Sequence, residues 1–254
     1  MAGLLFNSGK TRLTLAIAAV LLLTVGAACR KRANTNNANG NASSSVSAGT
    51  EQTKQQAQTL VDQARELYKN DEDEKAEEIL KQAIALDSNN AEAHLRLGMS
   101  YAALGKKTEA EDEYKKAIEL YKKKIQDDPK DGNSFFYLGE AHSFLHQDEE
   151  TVRAYRQATK LKPEDEEAWY QLGMAETKLA HYPEAIAAFE KALELDPEDY
   201  RASDGLENAN EGKQRIREGR KHNEEMLKKQ QDNANGNANA NSNSGSRPQP
   251  RRSP

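Results

Sequence analysis

Small residues recur along this chain on one beat. Ala64, Gly98, Gly139 and Gly173 lie 34, 41 and 34 residues apart, and Ala76/Ala110/Thr151/Ala185 and Ala83/Ala117/Ala158/Ala192 keep the same intervals. A period in this range marks stacked supersecondary units, here helix pairs, each too thin to bury its apolar face alone. Stacking buries a continuous core and winds the units into a superhelix whose concave wall is a binding surface. The spacing therefore predicts an all-α solenoid of about four helix-turn-helix units.

Composition agrees with a thin core. Hydrophobic residues make up 36% of the 254 positions and charged residues 30%, so apolar side chains must be placed economically. The net charge of −5 hides a strong segregation. Residues 51–199 hold 34 acidic and 20 basic side chains, whereas 1–50 hold five basic and 233–254 three basic with no acidic ones. An acidic middle repels phosphates, which argues against nucleic acid as a partner.

The first 28 residues follow the order of an export signal. Lys10 and Arg12 precede the apolar run 13–25, and Gly26, Ala27 and Ala28 precede Cys29. Cys29 is the only cysteine, which removes it from any intramolecular disulfide or multi-thiolate metal site. Its setting resembles the lipobox of bacterial lipoproteins, with Gly26 where leucine is commonest. That resemblance implies cleavage before Cys29, lipidation of its thiol and a membrane-anchored chain in the bacterial cell envelope, facing the periplasm. Arg30 rather than aspartate after the cysteine favours the outer membrane. An uncleaved signal anchor flanked by Arg30-Lys31-Arg32, or plain secretion, stays open as an alternative.

Residues 29–56 and 232–254 are dominated by Asn, Ala, Ser and Gly without hydrophobic period and are expected to be disordered. As a flexible coil, Cys29 to Gln56 would span roughly 30 Å. Between them the spacing divides the chain into units 57–90, 91–131, 132–165 and 166–199, followed by a capping helix over 200–231. That last segment starts with Ala202, Leu206 and Ala209 at helical spacing and then turns highly charged.

In 166–199 the residues Trp169, Leu172-Gly173, Ala185, Phe189, Ala192 and Pro197 resemble the tetratricopeptide repeat at its signature positions. The matching residues are Phe135, Leu138-Gly139, Thr151, Tyr155, Ala158 and Pro163 in 132–165, and His94, Leu97-Gly98, Tyr101, Ala110, Tyr114, Ala117 and Pro129 in 91–131. Residues 57–90 match less well: Gln63 replaces the leucine and Ser88 the proline, as suits a terminal unit. The 41-residue interval places seven extra residues between Ala117 and Pro129, close to two helical turns. Tyr114, Ile118, Tyr121 and Ile125 run through them in phase, so the second helix of that unit is expected to protrude, with Lys122-Lys123-Lys124 on its wet side.

Chemistry-bearing residues are few. His142 and His146 stand four apart with Glu140 nearby, a spacing that can share a metal on a helix. The zinc-protease order requires Glu directly after the first His, where Ser143 stands, and in the repeat frame His142 packs at the helix crossing while His146 falls in the turn. With no phosphate loop or nucleophile elbow, the reading is of a non-enzymatic protein without metal or cofactor.

The resemblance implies a peptide-binding groove on the inner face of each unit's first helix. Its positions here are Val61/Arg65, Leu95/Met99, Phe136/Glu140 and Tyr170/Met174, flanked by Tyr68, Lys69, Phe144 and Lys178. Family members that grip a terminal carboxylate use Lys, Asn and Arg in this row. That set is missing, so the expected ligand is an apolar peptide or helix anchored by Phe136, Tyr170 and Met99. The expectation is a membrane-tethered scaffold that holds protein segments in the envelope, with oligomeric state left open. The alternative is a protein that binds cell-wall or surface polymer through its Asn-rich tails.

Overall fold

The structure, a computed structural model, describes residues 41–243, with side chains over 50–233; Cys29 and the signal-like segment lie outside the described residues. The chain divides at Ser44/Ser45, and the packed helices belong to the second unit. The described residues form α1 (Asn41–Lys69), α2 (Asp73–Leu86), α3 (Ala91–Ala103), α4 (Lys107–Asp127), α5 (Gly132–Phe144), α6 (Asp148–Leu161), α7 (Glu166–Lys178), α8 (Tyr182–Leu195) and α9 (Tyr200–Asn243), with no strand among them. Each helix packs on its sequence neighbour, the arrangement of an α-solenoid. No described helix is long and apolar enough to cross a membrane.

The same local devices recur along the stack. First helices begin on a polar cap: Asn90, Asp131 and Asp165 each accept a hydrogen bond from the backbone N–H three residues on. They end in a left-handed residue, Asp71, Gly105, His146 or Ala180, followed by an amide that reaches back five residues, as Lys106 N does to Tyr101 O and His181 N to Glu176 O. This is the Schellman arrangement, which satisfies the helix's last carbonyls and turns the chain towards the second helix. Only Gly105 adopts it without a Cβ penalty.

The repeated glycines are contact points. A Cβ added to Gly98, Gly139 or Gly173 would lie 2.6–2.8 Å from the ring of Tyr114, Tyr155 or Phe189, the aromatic residue of the same unit's second helix. That approach draws the two helices close enough to seal Ala110, Thr151 and Ala185 between them. The core is a chain of small clusters. Tyr101 touches both the first and the second, and Trp169 both the third and the fourth.

Three expectations need correcting. Helix α1 starts at Asn41, so the described part of the segment read as a disordered linker is helical. Helix α9 likewise continues through 232–243, part of the segment read as a disordered tail. The 21-residue α4 is longer than the 14-residue α2, α6 and α8, yet its extra turns do not stand clear of the body. Leu120 and Tyr121 are buried in the core cluster with Leu138 and Ala141 of α5, and the Tyr121 ring stacks on Tyr137 at 5.7 Å. Lys122, Lys123, Lys124, Gln126 and Asp127 face water, and Ile125 is half-buried against the same cluster.

Helix α9 caps the stack. Ala202, Gly205, Ala209 and Gly212 form its buried stripe, and past Gly212 every described side chain is exposed. Phe189 of α8 fills the space between Gly173 of α7 and Gly205 of α9.

Candidate peptide-binding groove

The first helices α1, α3, α5 and α7 line the inner face, but two of the expected groove residues are not on it. Val61 and Leu95 are fully buried and belong to the core, so they have no surface to offer a ligand. Phe136 is half-buried, edge-on to Tyr137 and 5.5 Å from the Tyr155 ring. Phe144 stacks on Tyr114 at 4.8 Å and lines a cleft of 450 Å³ together with Ala102, Lys115 and His146, apart from the Phe136–Tyr170 row. Tyr68, Met174 and Lys178 are exposed, Met99 and Tyr170 half-buried, and Lys69 is exposed and paired with Glu66.

Between these aromatic positions the inner face is charged, which the apolar-strip expectation did not include. Arg65 of α1 meets Glu92 of α3 at 2.5 Å, Glu92 also accepts from Gln58 at 3.3 Å, and Arg96 approaches Glu92 at 3.5 Å while lying over the Tyr137 ring at 5.8 Å. Burial alone would raise the Glu92 pKa; the Arg65 hydrogen bond and charge, with Arg96, more than reverse this and hold it below the ordinary glutamate value. At the other end Glu167 accepts from Arg201 at 3.0 Å, and Arg201 stacks 4.5 Å above the Tyr170 ring. Both end contacts carry the repeat's own register: Gln58 to Glu92 and Glu167 to Arg201 are each 34 residues apart. The signal was therefore present in the sequence as one polar position per unit, Gln58, Glu92, Asn133, Glu167 and Arg201. At Asn133 the ladder breaks on both sides, since it accepts from Lys162 and bonds neither Glu92 nor Glu167.

Glu140, at the centre of α5, has no hydrogen bond or ion pair, and its Oε2 is sealed from solvent. Burial raises its pKa; Arg96 opposes the rise, and Glu92 and Glu167 add to it. A further cleft of 770 Å³ opens where the long α4 separates the starts of α3 and α5, lined by Gln58, Asn90, Glu92, Tyr121, Asn133 and Tyr137.

Where α7 meets α9, Asp199 and Glu166 share with Glu167 the one guanidinium of Arg201. Arg201 Nε lies 3.1 Å from Asp199 and its Nη2 3.9 Å from Glu166, whose buried Oε1 has no donor. Burial first, then Asp199, pushes Glu166 up to about 7, and a proton on it can bridge to Asp199. A carboxyl raised above its ordinary 4.5 contributes stability that is complete below that value and is lost as pH rises through about 7. Asp199, lowered by Arg201 against its own burial, acts in the opposite sense at lower pH. Glu166→Gln is thus expected to gain about 1–3 kcal/mol on wild type between about pH 5 and pH 8. Urea midpoints at the two pH values check it, and parallel pH profiles for the two proteins would rule the shared proton out.

His142 and His146 do not share one helix. His146 lies beyond the end of α5 in a left-handed conformation, and the buried His142 holds Gln147 Oε1 at 2.5 Å through Nδ1. Among the described residues no group of three His, Cys, Asp or Glu side chains is placed to hold a metal.

Comparison with known proteins meets this geometry from the sequence side. Residues 166–199 match the tetratricopeptide repeat family model, and residues 61–131 match a second model of the same description. The chain is a tetratricopeptide-repeat protein, a helical solenoid class that typically serves as an interaction scaffold. Solved structures similar to it include MamA, 25% identical over 70% of this chain and 94% of that one at a TM-score of 0.46. They also include YrrB, described as a tetratricopeptide protein with an unusual peptide-binding site, 24% identical over 60% of this chain and 84% of that one at a TM-score of 0.40. Pseudomonas aeruginosa pilF is 18% identical over 68% of this chain and 74% of that one at a TM-score of 0.51, a likeness of fold. No curated protein matches the sequence.

Proposed function

We propose that this protein is a scaffold tethered to a bacterial membrane through lipid on Cys29, holding an extended or helical segment of an envelope protein along the inner face of its repeats. The observation that carries the binding half is the row Met99, Phe136, Tyr170 and Met174, part-exposed to exposed on three successive first helices and interleaved with charged side chains. Such a surface supplies apolar anchors with polar groups to set register, the composition of protein-binding hot spots. The tether rests on the signal-like segment and the lone Cys29, which sit at one end of a chain whose described repeats expose no membrane-spanning helix.

Two measurements test the two halves. Phe136→Ala combined with Tyr170→Ala is expected to reduce recovery of partners crosslinked in cells at least tenfold with helicity unchanged, and full recovery would move the site off the inner face. Cys29→Ala is expected to shift the protein from the membrane to the soluble fraction. Tight membrane association of that variant would reject lipidation.

A further inference from the structure

Resting on the groove reading above, we propose that the partner segment presents a lysine or arginine, and that its cationic head is received by Glu140 between α3 and α5. Glu140 stands one turn after Phe136 on α5 and in the repeat register of Met99 and Met174, with the charges of Arg96 and Glu92 on α3 and Glu167 on α7 acting on it. Yet no donor reaches it. Arg96, whose charge acts on Glu140, is engaged by Glu92 and lies over Tyr137, and Arg65 and Arg201 are committed to Glu92 and to Glu167 with Asp199. Glu140 is half-buried with Oε2 sealed and without a donor, and that cost is removed by a group that brings its own positive charge.

The surroundings favour a donor-only head group. Tyr114 and Tyr121 of α4 also carry buried hydroxyls without a hydrogen-bond partner; burial first, with Glu140 among the smaller contributors, pushes both phenols' ionisation upward. Ammonium and guanidinium groups supply donors and no acceptor, which is the complement these oxygens lack. Phe136, Tyr137 and Met99 provide apolar surface for the aliphatic stem that precedes such a head. A ligand carboxylate would meet Glu140 and Glu167 unfavourably, so the preference is opposite in sign to that of a carboxylate-gripping groove.

The test uses the soluble chain from residue 30 onward, with all repeats and both tails, in wild-type and Glu140→Gln forms. Each is used to select from phage-displayed random 12-residue peptides, and the leading peptide is then measured by fluorescence anisotropy beside its Lys→norleucine version. Wild type is expected to enrich peptides with lysine or arginine at one position and to lose at least tenfold in affinity for the norleucine peptide. Glu140→Gln should bind the two alike, and Glu140→Lys should prefer a glutamate at that position. Peptides bound on the inner face without any charge preference, or a preference that survives Glu140→Gln, would overturn the inference while leaving the groove reading intact. Failure of every selection would count against both. Displacement by a synthetic 246–254 peptide as strongly as by the selected one would assign the site to the chain's own arginine-rich tail and overturn the partner assignment.

Discussion

Phe189→Ala is expected to destabilise the C-terminal half of the protein by about 3–5 kcal/mol, the range for emptying a buried aromatic site. The ring is fully buried and sits between two glycines that cannot fill the space it leaves, Gly173 of α7 and Gly205 of α9. Neither helix can close the gap by side-chain relaxation, because there are no side chains at those two points to relax. The expected loss is also local. In a solenoid each unit contacts only its neighbours, so α9, whose buried stripe rests on α8, should detach before the N-terminal units melt. Urea unfolding followed by circular dichroism should therefore separate into two transitions, with α9 amides exchanging fastest. A change below 1 kcal/mol with a single transition would show that Phe189 is not the anchor.

Tyr121→Ala is expected to cost a similar amount, about 3–5 kcal/mol, while Tyr121→Phe should leave stability within about 1 kcal/mol of wild type. The ring is 1% exposed and holds the extra turns of α4 against α5 through Tyr137 and Leu138. The hydroxyl, by contrast, is buried without a partner, and removing an unsatisfied group relieves its desolvation cost. The pair of variants thus separates packing from polarity at the seven-residue extension. Urea midpoints decide it: a Tyr121→Phe loss above about 2 kcal/mol would mean that the hydroxyl has a bonding role in the free protein.

The limits of sequence reading show most clearly at particular residues. Gly173, Ala185 and Phe189 were legible because a helix crossing admits only small residues on one side and rewards a ring on the other. The groove was legible by position and partly wrong in content. Val61 and Leu95 share the register of Phe136 and Tyr170, yet burial differs from unit to unit, and register alone cannot tell a core side of a helix from its rim. Glu92, Glu167 and Arg201 do not stand out in sequence, because a charged residue on a repeat surface looks solvated until its partner, 34 residues away, is brought beside it.

The sequence by itself determined the all-α solenoid and its helix pairing, since a repeated pattern of small and apolar residues leaves a helical chain only one face to bury. Tertiary structure alone decided that the long α4 folds into the core, that the inner face is a charged ladder broken at Asn133, and that Glu140 is left without a partner. The reason is physical: periodicity is encoded within each helix, whereas desolvation and charge pairing depend on how far apart neighbouring units come to rest.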